Sequence, residues 1–465
     1  MKKLSRGAYE DTKGLLRVTE TLLEVLVLTV VYYLFWRNGY DMFAFEYKGK
    51  YVLMGVYGLL MYLIFQNSDC TMFGQLNRVD LVIGQIISLF LVNFITYFQL
   101  CLIGNALISP TPMVKLFGLQ SVLAVVLIFV YTTLYHKLYA PHNMLLIFGS
   151  RNSVGLKFKM DSRKDKYNIT GLISSEEGYD AIIEKIPQYD AIILNDVAAP
   201  LRNDLLKFCY RYRVRTYVAP KLTDIMIRGA KNISLFDTPL LLVKGTGLTP
   251  AQRVGKRLMD ILLCSVAMIV AAPVMAVVAV AIKLEDGGPV FYQQPRVTYA
   301  GRVFSVLKFR SMRVQDGSIH RSVSKDDDRI TKVGHVIRKF RIDELPQLIN
   351  ILKSDMSLVG PRPEMVENVE KYTKELPEFA YRLRAKAGLT GMAQVFGKYN
   401  TSPADKLALD LSYIESYSVL LDIKLIMQTV MVLLTPEEST EAFEQKPASN
   451  AASENAEEPQ QEQHV

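Results

Sequence analysis

The chain has 465 residues, 50% hydrophobic and 22% charged, and carries a formal net charge of +8 from 54 Lys and Arg against 46 Asp and Glu. That length accommodates two to four domains at roughly 100–200 residues each, and the composition excludes a disordered chain, a collagen and a disulfide-built miniprotein. A basic balance suits nucleic acid, anionic lipid or phosphorylated substrates, and bulk composition does not choose among them.

The hydrophobicity is concentrated in the first 140 residues. Four apolar runs, at about 21–36, 51–65, 81–103 and 114–135, approach the ~17–25 residues that cross a bilayer as a helix. Glu24, Asn93 and Gln120 are their few polar interruptions, and Trp36 and Tyr135 stand at the edges where amphipathic aromatics collect. The first run is too long for a cleavable signal peptide, and further runs follow it. Lys2, Lys3, Arg6, Lys13 and Arg17 favour a cytoplasmic N-terminus, and an even number of spans then leaves everything after residue 140 in the cytoplasm.

Residues 141–248 read as a small α/β module. Apolar strands are expected at Asn143–Gly149, Tyr189–Leu194 and Arg215–Ala219, with helical stretches between them. A strand ending in glycine can open a nucleotide site, but Gly149-Ser-Arg-Asn-Ser-Val-Gly155 carries Arg151 where a GxGxxG loop has its middle glycine. A degenerate structural or regulatory module is the favoured expectation. A fifth apolar run covers Leu258–Ala281, with Arg253, Lys256 and Arg257 before it, Asp260 near its start and Pro273 in its middle. It reads either as a fifth span or as a proline-broken helix that enters and leaves one leaflet. Cys70, Cys101, Cys209 and Cys264 form no CxxC pair and the five histidines no HxxxH pair, so no disulfide framework or zinc site is expected. The tail 437–465 holds eight acids and one lysine and is expected to be disordered. Without it, residues 1–436 carry 53 bases and 38 acids, a net +15.

The chemistry-bearing segment follows. Between Arg296 and Arg341 stand twelve bases and four acids, yet the segment has no recognition-helix or zinc-finger pattern, so nucleic acid is not the expected partner. Asp343 and Glu344 then form an adjacent carboxylate pair in a basic neighbourhood, which favours their charged forms. Such a pair can bind Mg²⁺ together with substrate phosphate, or an Asp can accept a phosphoryl group covalently. Pro361-Arg362-Pro363 fixes an arginine in an extended turn, and a guanidinium matches phosphate with a planar donor fork. Asp326-Asp-Asp328 resembles a metal cluster, but a solvated loop with Asp328 partnering Arg329 is the favoured reading.

Together these residues resemble a known family. Lys308-Phe-Arg-Ser-Met312, Asp328-Arg-Ile-Thr331, Asp343-Glu-Leu-Pro-Gln-Leu348, Asp355-Met-Ser-Leu-Val-Gly-Pro-Arg-Pro363 and Gly388-Leu-Thr-Gly391 are similar, in order and spacing, to motifs of bacterial polyprenyl-phosphate sugar-1-phosphate transferases of the monotopic phosphoglycosyl transferase superfamily. With its upstream spans and α/β module, the chain resembles the long subfamily that primes O-antigen, capsule and exopolysaccharide synthesis. The implied fold is membrane α plus α/β. Its parts are four transmembrane helices (1–140), a Rossmann-like module (141–248), a mainly helical catalytic domain (249–436) with a re-entrant helix at 257–282, and the tail.

The resemblance implies transfer of a sugar-1-phosphate from a UDP-sugar to undecaprenyl phosphate at the cytoplasmic face of the inner membrane, with UMP released. It makes Asp343 the nucleophile and Glu344 its helper, in metal binding or in handling the acceptor's proton. Both carboxylates would serve as ligands to Mg²⁺. Lys308, Arg310, Arg338 and Arg362, the last between Pro361 and Pro363, would bind phosphate. UDP-sugar, undecaprenyl phosphate and membrane lipid are the implied partners, a homodimer is an open expectation, and Val419–Leu434 would lie in the membrane interface. Thr298, Ala300 and Ser354 depart from the family pattern, and Met392-Ala-Gln-Val395 lacks a tryptophan usually found before Gln-Val. The sugar is left undetermined.

Overall fold

The computed structural model describes residues 2–39, 48–74, 76–139, 141–149, 153–161, 163, 166–235, 237–313, 329–397 and 401–434. The acidic tail, the Asp326–Asp328 run and residues 150–152 of the glycine-bounded loop lie outside the described residues. The described residues fall into two compact units, 2–252 with 411–434, and 253–410.

The first unit opens with four helices, α1 (Lys2–Gly39), α2 (Gly49–Asn67), α3 (Arg78–Ile103) and α4 (Thr111–Leu138). Residues 14–35 of α1 and the whole of α2, α3 and α4 are long and apolar enough to cross a membrane. Each helix outlasts its apolar run, because the flanking Arg, Lys and Gln residues are good helix formers. Leu28, Tyr57, Met61, Phe65, Leu89 and Leu116 fill the interior, while Leu26, Val52, Phe90 and Val122 stay exposed. A bundle that is apolar inside and out is suited to lipid. The polar interruptions are interior. The Tyr57 hydroxyl donates to Asn93 Oδ1 at 3.1 Å, Asn93 Nδ2 to Gln120 Oε1 at 2.9 Å, and Gln120 Nε2 to the Leu28 carbonyl at 3.0 Å. One residue from each helix thus joins a single buried network. Such bonds contribute on the order of 1 kcal/mol each in a membrane and fix which faces meet.

The α/β module runs β1 (His142–Phe148), α5 (Ser153–Asp161), β2 (Tyr167–Ser174), α6 (Gly178–Lys185), β3 (Ala191–Asn195), α7 (Ala199–Tyr212), β4 (Arg215–Val218) and α8 (Leu222–Arg228). Its sheet is parallel with order β2-β1-β3-β4. Leu145, Ile147, Ile192 and Leu194 bury one face against Ile182 and Leu205, and Met144, Leu146 and Ile193 bury the other. Burial on both faces is why β1 and β3 read as continuous apolar runs. Strand β2 does not read that way. Asn168 and Gly171 interrupt it, it takes an edge, and its register slips between Met144 and Leu145 of β1. An antiparallel hairpin, β5 (Lys231–Leu235) and β6 (Thr238–Leu242), follows.

The second unit is built on α9 (Pro250–Asp286), whose first three residues belong to the first unit. It continues with the antiparallel pair β7 (Phe291–Val297) and β8 (Val303–Phe309), α10 (Lys332–Lys339), α11 (Gln347–Leu352), β9 (Ser357–Val359), α12 (Val366–Glu375), β10 (Gly388–Thr390), α13 (Met392–Phe396) and most of α14 (Pro403–Glu415). Pro273 lies inside α9 and does not end it. Proline removes only its own hydrogen bond, to the carbonyl four residues back, and the apolar helix continues on both sides. Helical structure therefore continues through Pro273. Cys264 packs with Phe304, Leu348 and Ile351, while Val278 and Ile282 pack with Phe309 and Ile337. Asp260, the charge in this apolar run, is buried for a reason. Its Oδ2 accepts from the Ser357 hydroxyl at 2.7 Å and its Oδ1 from the Leu358 N–H at 3.0 Å.

The last helix, α15 (Val419–Leu434), belongs with the first unit and packs on α3 and α2. Lys424 pairs with Asp69, and buried Asp422 accepts from the Tyr413 hydroxyl at 2.8 Å. The two charges of this otherwise apolar segment are thus partnered within the protein.

Candidate active site

The site is assembled from four short segments of the second unit. Strand β8 supplies Lys308, opposite Tyr292 of β7. Helix α10 starts on Thr331, whose hydroxyl accepts from the Gly334 N–H at 2.9 Å, and brings Arg338 in its last turn. Arg341 then adopts a left-handed conformation, φ 53°. This costs a residue other than glycine about 1–2 kcal/mol, but it turns the chain sharply off the helix. The next residues, Ile342–Glu344, form a single 3₁₀ turn carrying both carboxylates. Pro361-Arg362-Pro363 arrives from β9, which pairs in parallel with β10. Gly360 and Gly388 lie so close that a Cβ on either would meet the other strand's backbone. This requirement is local to the strand pair and explains both glycines.

Glu344 is the hub. Its Oε1 receives Lys308 Nζ at 2.7 Å and faces an Arg362 nitrogen at 3.5 Å. Burial alone would raise its carboxyl, but Arg362, Lys308 and Arg341 outweigh that and hold it down at about 2. Asp343 moves the other way. Burial raises it and Glu344 adds to the rise, against Lys308 and Arg338. Neighbouring carboxyls with opposed shifts mark a division of labour. Glu344 is held as a charge by its cations, and Asp343 is the more basic of the two.

Of the residues singled out in the sequence, Asp343, Glu344, Lys308, Arg338 and Arg362 come together. Arg310 goes elsewhere: it is buried and paired with Asp286 of α9, with Gly288 pressed against its guanidinium. Pro361 and Pro363 hold the strap and leave its arginine 43% exposed. Arg296, Arg341 and Arg382 were not singled out. Arg296 NH1 donates to the Pro363 carbonyl at 3.1 Å. Burial and the like charge of Arg362 both lower Arg296. The usable signal for Arg382 and Asp410 was their charge: both fall among residues that are otherwise core, Phe379, Leu407 and Leu411.

Mg²⁺ takes oxygen ligands, commonly one or two carboxylates with substrate phosphate and water completing the shell. Among the described residues no group of three or more His, Cys, Asp or Glu is placed to hold a metal. Asp343 and Glu344 supply two carboxylates, and both cation contacts on Glu344 fall on the same oxygen. This donor set fits an ion carried mainly by substrate phosphate.

In the α/β module, Gly149 has a packing role. A Cβ there would run into the Asp196 carbonyl, and Asp196 itself is left-handed at φ 54°. The glycine thus lets two strand ends meet.

Among the described residues, five long apolar helices suit a membrane protein, and two cations close on the Glu344 carboxylate beside Asp343. Residues 251–436 match the bacterial sugar transferase family. The UDP-glucose:undecaprenyl-phosphate glucose-1-phosphate transferase of Caulobacter vibrioides is 39% identical over 206 residues, 43% of this chain and 77% of that protein. The UDP-N-acetylgalactosamine-undecaprenyl-phosphate N-acetylgalactosaminephosphotransferase of Aeromonas hydrophila is 36% identical over 262 residues, 54% of this chain and 61% of that protein. The exopolysaccharide production protein ExoY of Rhizobium meliloti is 33% identical over 210 residues, 42% of this chain and 92% of that protein. The chain belongs to the bacterial sugar transferase family and is a transferase.

Proposed function

We propose that this transferase moves a sugar-1-phosphate from a UDP-sugar to undecaprenyl phosphate through a covalent intermediate on Asp343. The observation that carries the reading is the Lys308–Glu344–Arg362 cluster beside a more basic Asp343. It supplies a nucleophile and fixed positive charge for a diphosphate. A carboxylate oxygen of Asp343 attacks the β-phosphorus. The bond from that phosphorus to the bridging oxygen breaks, and the electron pair leaves with UMP. An oxygen of the lipid phosphate then attacks the same phosphorus, the aspartyl–phosphate bond breaks, and Asp343 is regenerated as undecaprenyl-diphosphate-sugar departs. Arg362 and Lys308 offset charge on the transferring group, and Lys308 and Arg338 oppose the rise that burial gives Asp343. Mg²⁺, held by Asp343, Glu344 and the substrate, would neutralise the diphosphate. The named activities of the relatives support this substrate class without choosing the sugar.

The site then lies at the cytoplasmic membrane surface, where a water-soluble nucleotide sugar and a lipid phosphate meet. A re-entrant α9 is favoured by its packing. A helix crossing outright carries its two ends about 30 Å apart across the bilayer, whereas both halves of α9 pack against one seven-residue strand, β8. Full-length protein in lipid nanodiscs is expected to release UMP from one of a panel of UDP-sugars only with Mg²⁺ and undecaprenyl phosphate present. A folded protein that releases none overturns the reading.

A further inference from the structure

The strap Pro361–Glu364 has no slack. The Pro361 carbonyl accepts from Gly388 N–H at 2.9 Å, that of Arg362 from Arg382 NH2 at 2.9 Å, that of Pro363 from Arg296 NH1 at 3.1 Å, and that of Glu364 from Val297 N–H at 3.0 Å. Four consecutive carbonyls are each taken by a donor from a different residue. Two of the four positions are prolines, whose φ is fixed already. Only the Arg362 side chain is left to choose its direction, and it faces Glu344.

Of the two arginine donors, Arg382 is the more deeply set. Its side chain is 3% exposed and lies over the Phe379 ring, 4.9 Å from the centroid. Its Nε donates to Asp410 Oδ2 at 2.9 Å, and its NH2 lies 2.8 Å from that same oxygen while also reaching the Arg362 carbonyl. Glu364, steadied by Lys406 at 3.3 Å, lies 3.9 Å from its NH1. One planar fork therefore joins a buried carboxylate on α14, the strap's backbone and the acid that ends the strap. A lysine cannot do this, because an ammonium is a point donor on a flexible stem. The neutralisation by Asp410 is also needed, since a buried guanidinium without it would be costly.

We propose that Arg382, held by Asp410, is a positioning residue that sets Arg362 against Glu344 and so acts on the reaction only through Arg362. The proposal rests on the site reading above. It predicts two things. Loss of the fork should loosen the strap, and its effect on turnover should vanish once Arg362 is gone.

The test uses full-length protein in nanodiscs and the variants Arg382→Lys, Asp410→Asn, Arg362→Ala and the doubles with Arg362→Ala. Hydrogen exchange of the peptide covering 360–365 should accelerate at least 10-fold in Arg382→Lys and Asp410→Asn, with peptides from the first unit unchanged. In a double-mutant cycle, Arg382→Lys should lower kcat/KM at least 10-fold in the native background and under 2-fold beside Arg362→Ala, and Asp410→Asn should behave alike. Equal loss in both backgrounds overturns the proposal, because Arg382 would then act independently of Arg362. Unchanged exchange in the strap also overturns it, even if turnover falls. Asp410→Asn keeps the residue's shape and serves as the second variant if Arg382→Lys does not fold. Should native protein show no transfer at all, the site reading fails by itself, while the exchange result still decides whether Arg382 holds the strap.

Discussion

Removing Lys308 should expose how strongly Glu344 depends on it. The carboxyl sits at about 2 against an ordinary 4.5. That difference corresponds to about 3 kcal/mol favouring the charged form. Arg362, Lys308 and Arg341 share this, and Lys308 makes the shortest contact, at 2.7 Å, with both side chains at most 25% exposed. Its share is therefore on the order of 1–2 kcal/mol. Lys308→Met leaves a half-buried carboxylate short of a partner, and Glu344→Gln removes the need for one. The double variant should then be less damaged than the sum of the singles by about 1–2 kcal/mol, or roughly 2–8 °C in unfolding midpoint for a unit of this size.

The sign with pH follows from the direction of the shift. A depressed carboxyl stabilises the fold at all pH above its unfolded value of about 4.5, and this is lost as pH falls through about 2. The coupling should accordingly be the same at pH 7 and pH 5.5, measured by thermal unfolding in detergent or nanodiscs. Strict additivity of the two variants would refute the reasoning, since Lys308 would then owe its place to something other than Glu344.

Two further perturbations address parts of the fold. Gly149→Ala should destabilise the α/β module by more than about 2 kcal/mol, because its methyl meets the Asp196 backbone; proteolysis of that module, read by mass spectrometry, should accelerate while the second unit resists. Asp260→Ala strands the Ser357 hydroxyl and the Leu358 N–H where β9 begins its approach to the strap; it should cost about 2–4 kcal/mol and lower transfer, and Asp260→Asn should recover part of both.

The parts of this protein that were legible in its sequence are those where one physical signal dominates. Long apolar runs gave α1 to α4, and buried apolar strands gave β1 and β3, while the edge strand β4, with no buried residue, showed only as a short β-prone run. Strand β2 was missed because an edge strand with a bulge tolerates Asn168 and Gly171 in the middle of its pattern. The β7–β8 hairpin was missed too, since Gln293, Gln294 and Pro295 hide its alternation. Pro273 left the fifth run open between a span and a proline-broken helix, because local propensity registers one lost hydrogen bond but not the packing on either side of it. The carboxylate pair and Pro361-Arg362-Pro363 stood out as local motifs. Their partners Arg382 and Asp410 lie 20 and 48 residues beyond Arg362 and meet the strap only in the fold. Ser354, a departure from the family pattern, sits at φ 70°, where glycine is easier, and is compensated by Lys386 Nζ at 2.6 Å from its hydroxyl.

The covalent step is the central claim, and it can be observed directly. Native protein incubated with its UDP-sugar and Mg²⁺, but without lipid phosphate, should gain the mass of one phosphosugar, located by peptide mapping on Asp343. The adduct should disappear when undecaprenyl phosphate is added. Asp343→Asn should gain no such mass and transfer no sugar. An Asp343→Asn protein that still turns over, or native protein that turns over while never carrying the adduct, would contradict the account.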